Sequence, residues 1–225
     1  MTDRCDVAVV GGGIVGLATA RSLLLARPDL RVTVLERGPT IAVGQTGHTS
    51  GVIHSGAYYR PGSAKARFCV EGRRRLIDYL NAKGIEYRIP GKLIVATRPD
   101  QLDRLRTIGD RAAANGVEGG RWRRSEDLRS LEPHVRGLAA LEVPTAGIVD
   151  YRAVARSYAR DFEDLGGTVR VGAEVTRTSP TGPDLEIEHS GGILSARFLV
   201  GCAGIEADRL ARLNGVDPTV QIVPF

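Results

Sequence analysis

The residues best equipped for chemistry lie in two stretches. The first is Gly11-x-Gly13-x-x-Gly16, followed by Glu36, 20 residues beyond the last glycine. In such a pattern Gly11 permits a tight turn, Gly13 lets the main chain approach a pyrophosphate, and Gly16 lets a helix pack closely on a strand. Ile14 and Val15 open that helix, whose free amides and positive dipole end suit phosphate charge. Glu36 can accept hydrogen bonds from both ribose hydroxyls and would repel a 2′-phosphate, which disfavours NADP. Arg37 adjoins it and is grouped with the nucleotide-binding residues. The second stretch runs from Gly44 to Arg60 and contains two of the chain's four histidines. A His54 imidazole could take a hydroxyl proton while hydride leaves the adjacent carbon. It could instead attach a cofactor covalently or hydrogen-bond the loop. His48 reads more readily as a loop brace. Arg60 could clamp a carboxylate in bidentate fashion or form a surface salt bridge. Lys92, at the start of a later strand, reads as solvent-facing.

These residues need a scaffold, and the hydrophobic pattern supplies one. Asp6–Val10 is a β-branched run expected of a buried parallel strand. Apolar residues then recur at helical spacing until Pro28, and Arg31–Glu36 forms a second strand, completing a βαβ unit. Residues 38–62 show little periodicity, and a loop that long inside a compact domain is usually functional or disordered. The pattern predicts helices over Ser63–Lys83, Gln101–Ala114 and Ser125–Leu131, a strand over Lys92–Thr97, and a helix capped by Asp150 and closed by Gly166-Gly167. Further strands are expected at Thr168–Val171, Leu185–Glu188 and Phe198–Cys202, and then a helix ending at Asn214-Gly215. The apolar run Val220–Phe225 reads as an interrupted strand, hence as a sign of truncation.

Three polar, glycine-rich or strand-edge segments distinguish FAD from NAD. Thr46, Gly47, His48, Ser50 and Gly51 offer a second polar stretch for a diphosphate, ribityl chain and ring. Ala203 and Gly204 end a strand and bring another backbone edge, and a short strand around Val175 could pair with an adenine edge. Together they favour FAD. The net charge of +5 rests mainly on arginine. The runs Arg73–Arg75 and Arg121–Arg124 read as solvated faces, because no nucleic-acid motif accompanies them. The three cysteines show no metal-ligand or disulfide spacing, and a reducing cytosol is the simplest compartment. The apolar run Val7–Ala20 is glycine-broken and too short to span a bilayer.

The stretches DVAVVGGGIVGLATARSLL, QTGHTSGVIHSGAYYRPGS, GKLIVAT, EPHVRGLAAL, GIVDYRAVAR and GCAG resemble the L-2-hydroxyglutarate oxidase/dehydrogenase family, among the D-amino-acid-oxidase-like FAD oxidoreductases. The resemblance implies oxidation of L-2-hydroxyglutarate to 2-oxoglutarate by hydride transfer to flavin N5, with electrons passing to oxygen, a quinone or another carrier. It makes His54 the base. It places Gly11, Gly13, Gly16 and Glu36 on the nucleotide half, Thr46 to Gly51 along the flavin diphosphate and ring, and adds contacts from Val175 and Gly204. Members of the family are considerably longer. The expectation is therefore an α/β protein: a Rossmann-like FAD-binding domain with a mostly parallel sheet (1–86 and 146–225), and an incomplete α+β substrate-domain insertion (87–145). The small-molecule partner would be a 2-hydroxy acid, with peripheral membrane contact left open. Two other readings stand beside it: a truncated, non-catalytic FAD-binding fragment, or a related enzyme acting on another 2-hydroxy acid, glycerol 3-phosphate or an amino acid.

Overall fold

A computed structural model describes residues 3–223. Its contacts divide the chain into two compact units. The first comprises the segments up to Thr49 and from Tyr151 onward, and the second is Ser50–Asp150. These bounds differ from the expected 1–86/146–225 and 87–145, so the first long helix after the loop falls in the second unit.

The first unit is built on a six-stranded sheet. Its strands are β1 (Asp3–Val10), β2 (Val32–Leu35), β9 (Thr168–Arg170), β10 (Val175–Thr181), β11 (Asp184–His189) and β12 (Gly192–Gly201), in the order β10-β11-β12-β1-β2-β9. The pairs β12–β1, β1–β2 and β2–β9 are parallel, and β10–β11–β12 form an antiparallel meander at one edge. All four residues of β2 are buried, as a strand covered on both faces requires. Helix α1 (Ile14–Ala26) and helix α5 (Tyr151–Asp164) pack together. Leu24 and Ala20 of α1 and Phe162 of α5 join Val7, Val9, Val32 and Val34 of the sheet in one cluster. Ala8, Leu35, Ile187, Leu194 and Ala196 belong to another. Fully burying one such aliphatic or aromatic side chain stabilises by about 1.5–3 kcal/mol, so these clusters hold the unit together.

Strand β10 extends well past the short strand expected near Val175. Its sequence is polar and contains Pro180, which hides it from a hydrophobic pattern. It is an edge strand, where a missing amide donor is tolerated. The final helix, α6, covers Ala207–Leu213. Residues 220–223 are not strand, contrary to the interrupted-strand expectation, while Pro224 and Phe225 lie outside the described residues.

The second unit has two three-stranded antiparallel sheets. One joins β3 (Val52–Ile53), β8 (Gly147–Val149) and β4 (Tyr87–Arg88); the other joins β5 (Lys92–Ala96), β7 (Ala139–Val143) and β6 (Arg121–Arg124). Helices α2 (Ala64–Lys83), α3 (Leu102–Ala114) and α4 (Ser125–Leu131) complete it. Helix α2 begins where Ser63 Oγ accepts from the Ala66 amide and ends at Gly84 with φ 63°, a left-handed position suited to glycine. Leu105, Ile108 and Ala112 of α3 pack on Ala96, Leu141 and Val143. The Arg121–Arg124 run is a largely exposed edge strand, and its Arg123 pairs with Glu142 on β7 at 2.6 Å.

Candidate functional site

In the first unit, β1 ends at Val10 and the chain turns through three consecutive glycines into α1. Gly11 has φ 118°, and a Cβ there would collide with the Cys202 carbonyl. The turn is pinned on both sides: the Gly11 amide donates to Leu35 O, and the Cys202 amide donates to Val10 O, each at 2.8 Å. At Gly16 a Cβ would collide with the Gly11 carbonyl, so only glycine lets α1 approach the turn. Gly13 differs from both. Its φ is an ordinary −78°, and a Cβ would meet only Thr46 Oγ1, at 3.2 Å. Beyond that hydroxyl, the space in front of Gly13 is clear of the described residues.

The first turn of α1 has donors to spare. Thr46 Oγ1 accepts from the Ile14 amide at 2.9 Å, so the helix is capped by a buried side chain from 32 residues away. The Gly13 and Val15 amides have no partner among the described residues. Val15 is 65% exposed, so that corner is open to solvent and to a ligand. Unsatisfied amides at a helix N-terminus form an anion site.

Glu36 is buried, and its two carboxylate oxygens accept from different glycine amides: Oε2 from Gly12 and Oε1 from Gly38, both at 2.7 Å. Each oxygen keeps one further acceptor position for a ribose hydroxyl. Gly12 was missed as a distinct requirement. A Cβ there would sit 2.8 Å from Glu36 Cβ, and the signal was the third glycine of the triplet. The Glu36 carbonyl receives the Ala173 amide at 2.8 Å, which ties the segment leading to Val175 to this carboxylate. Arg37 is half-exposed and lies 3.5 Å from Glu206, just past Ala203 and Gly204. Gly204 has φ 59° and open space where a Cβ would be.

Residues 45–48 form a short 3-10 turn. A Cβ at Gly47 would press on the Arg152 guanidinium (Nε at 2.7 Å) and on the Ala42 carbonyl. His48 is exposed, and its Nδ1 is 3.0 Å from Gly44 O. The Ala42 amide donates to Gly12 O at 3.0 Å, which fastens this loop to the glycine turn. Gly11, Gly13, Ile14, Val15, Gly16, Glu36, Arg37, Thr46, Gly47, His48, Val175, Ala203 and Gly204 thus all lie in the first unit, while Ser50, Gly51, His54 and Arg60 lie in the second.

Within the second unit Gly51, with φ 73°, packs against β8, where the Val149 amide donates to its carbonyl at 2.9 Å. The His54 carbonyl accepts from the Cys69 thiol of α2 at 3.5 Å. His54 is exposed, yet the desolvation its ring does have, and then the nearby Lys92 ammonium, hold the imidazole below its ordinary pKa, which favours the neutral ring that a base needs. Lys92 is half-buried rather than solvent-facing, with Nζ 4.3 Å from the Tyr58 ring centroid. Arg60 is exposed and has no carboxylate partner among the described residues; its carbonyl accepts from Ser63 Oγ at 2.6 Å.

The profile of the DAO family, described as FAD dependent oxidoreductase, matches residues 6–225. The chain belongs to this FAD dependent oxidoreductase family. It is 44% identical to the mitochondrial L-2-hydroxyglutarate dehydrogenase of Bos taurus over all of its length, which is 51% of that protein. It is 41% identical to L-2-hydroxyglutarate dehydrogenase of Escherichia coli (strain K12), over 98% of this chain and 52% of that one. The chain therefore spans about half the length of these curated relatives. An FAD-bound structure of L-alpha-glycerophosphate oxidase from Mycoplasma pneumoniae superposes with a TM-score of 0.85 and 26% identity, over 94% of this chain and 57% of that one. Glycine oxidase from Geobacillus kaustophilus shares the fold (TM-score 0.84, 24% identity, 95% and 59% covered). The first unit fits the family's cofactor. Open space at Gly13, the unpartnered Gly13 and Val15 amides and the spare acceptor positions of Glu36 match a pyrophosphate and its neighbouring ribose. No helix among the described residues is long and apolar enough to cross a membrane.

Proposed function

We propose that the chain carries the FAD-linked oxidation of L-2-hydroxyglutarate to 2-oxoglutarate. The observation that carries this reading is the 44% identity, over the whole chain, to a protein named L-2-hydroxyglutarate dehydrogenase. That likeness also favours an enzyme over a non-catalytic FAD-binding fragment. Bound FAD supplies the two-electron acceptor. Within the first unit, Gly11, Gly13 and Gly16 would admit its pyrophosphate, Glu36 its ribose, and Thr46 to His48 and Gly204 would line more of it. His54, held neutral, accepts the proton of the C2 hydroxyl as the carbonyl forms. Electrons leave to oxygen or a quinone. The chain's three cysteines are free, which agrees with a reducing compartment.

The test is anaerobic addition of L-2-hydroxyglutarate to the intact, FAD-loaded protein. Bleaching of the flavin absorbance, with 2-oxoglutarate as product, is expected. A flavin that stays oxidised with this acid but bleaches with glycerol 3-phosphate, another 2-hydroxy acid or an amino acid would overturn the substrate. A flavin that none of them bleaches would overturn the reading as a whole.

A further inference from the structure

The second unit holds a cation without a counter-ion. Lys92 opens β5 half-buried, its Nζ over the Tyr58 ring, and no carboxylate lies within ion-pair distance among the described residues. Several arginines of the unit are matched, Arg74 and Arg75 with Glu71, Arg98 with Asp100, Arg106 with Asp103 and Arg123 with Glu142, whereas Arg60, also without a carboxylate partner among the described residues, is exposed to solvent. Burial lowers the Lys92 pKa, so the missing partner is a real electrostatic cost rather than a solvated surface charge.

The groups around it are few. The Tyr58 ring forms an aromatic wall whose face attracts the ammonium but carries no countercharge. The Arg73 guanidinium donates to Thr145 O at 2.8 Å. The Cys69 thiol is pushed up by burial, with Lys92 and Arg73 acting against it, so it is neutral. His54, whose carbonyl Cys69 holds, is the remaining titratable neighbour. A half-desolvated ammonium that lowers the pKa of the His54 imidazole, with no carboxylate in ion-pair distance among the described residues, suits a small anion carrying a proton to give up. A 2-hydroxy acid has that form, its carboxylate one bond from the carbon that bears the hydroxyl.

We propose that Lys92 binds the C1 carboxylate of the 2-hydroxy acid and thereby presents its C2 hydroxyl to His54. The assignment rests on the functional reading above, and it moves the carboxylate-binding role from exposed Arg60 to Lys92. It has a second consequence. The substrate carboxylate offsets the ammonium charge that restrains His54, so the imidazole becomes a stronger base when substrate arrives.

The experiment is an NMR titration of the histidine rings of the intact protein without FAD, for the wild type, Lys92→Met and Lys92→Arg. Each is run with and without L-2-hydroxyglutarate, and with and without the monocarboxylate L-2-hydroxybutyrate. With four histidines in the chain, the His54 resonance is assigned by its loss in His54→Gln. In the wild type both acids should raise the His54 pKa. In Lys92→Met it should start higher and not respond to either acid, while Lys92→Arg should restore the response. In the FAD-loaded enzyme, Lys92→Met should raise KM for L-2-hydroxyglutarate about tenfold or more, equivalent to about 1.4 kcal/mol, with kcat changed much less. A response to the dicarboxylate alone would overturn the C1 assignment. An unchanged KM and an unchanged His54 titration in Lys92→Met would overturn the role of Lys92 while leaving the functional reading intact. If the wild type oxidises no 2-hydroxy acid, the functional reading fails, and the ring titration still decides whether Lys92 anchors a carboxylate.

Discussion

The glycine turn of the first unit and the His54 region of the second are made of different materials. The turn works through what is absent: side chains at Gly11, Gly12 and Gly16 would strike the Cys202 carbonyl, Glu36 and the Gly11 carbonyl. Its specificity lies in backbone amides and one buried carboxylate. The His54 region works through what is present: a thiol, an aromatic ring, an ammonium and an imidazole gathered from a loop, α2 and β5. A site defined by steric exclusion should break sharply when it is filled, whereas one defined by charge should respond by degrees and to pH.

The largest effect is expected at Gly16→Val, which drives a branched side chain into the Gly11 carbonyl. Overpacking of this kind costs about 1–3 kcal/mol or more. Flavin retained through gel filtration should fall to background, together with a lower thermal midpoint. A stable, yellow Gly16→Val protein would refute the steric account of the turn. Next comes Glu36→Gln. An amide can accept from only one of the two glycine amides and leaves the other unmet, at about 1–3 kcal/mol. The urea midpoint should drop even without FAD, which shows that Glu36 builds the site before any ribose reaches it. Thr46→Ala removes the hydroxyl that caps α1 and should cost about 1 kcal/mol, with Thr46→Ser restoring most of it.

The smallest effect is titration. His189 is buried with no partner for Nε2 among the described residues, and burial followed by Arg170 holds it below its ordinary pKa. His54 is shifted in the same direction. A folded imidazole with a depressed pKa contributes stability above its unfolded value near ~6.5, and that contribution is lost as pH falls through this value toward the folded one. The urea midpoint should therefore decline between about pH 7 and pH 5. His189→Gln should lessen that decline, and an equal decline in wild type and variant would contradict the burial effect.

The contrast between the two regions also explains what could be read from sequence. Gly11, Gly13, Gly16 and Glu36 are legible because their spacing is local: a strand, a turn and a helix in about thirty residues, in which Gly16 meets the Gly11 carbonyl and Gly11 the carbonyl just past the adjoining strand. Helix α2 was equally legible, because Ser63 and Gly84 cap it within its own segment. Lys92 was not. Its placement depends on Tyr58, 34 residues away, and on the pairing of β5 with β7, whose Val143 is 51 residues away, and a strand-opening lysine looks like any surface lysine until those contacts exist. Strand β10 escaped for a related reason. Its polar residues and Pro180 satisfy an edge position that only the finished sheet defines. Thr46 was placed correctly in a polar loop, but its cap on Ile14 lies 32 residues away in sequence and has no local signature.

The most direct test of the account is FAD affinity in Gly13→Ala, measured by flavin fluorescence on the intact protein. Gly13 has an ordinary φ, and only Thr46 Oγ1 lies near its missing Cβ, so the substitution should change stability by no more than about 1 kcal/mol. The methyl group would nevertheless stand where the pyrophosphate must approach. The account predicts a folded protein, with a thermal midpoint close to wild type, that binds FAD at least about tenfold more weakly, a loss of 1.4 kcal/mol or more. An unchanged affinity in an equally stable protein would contradict the claim that this turn holds the cofactor.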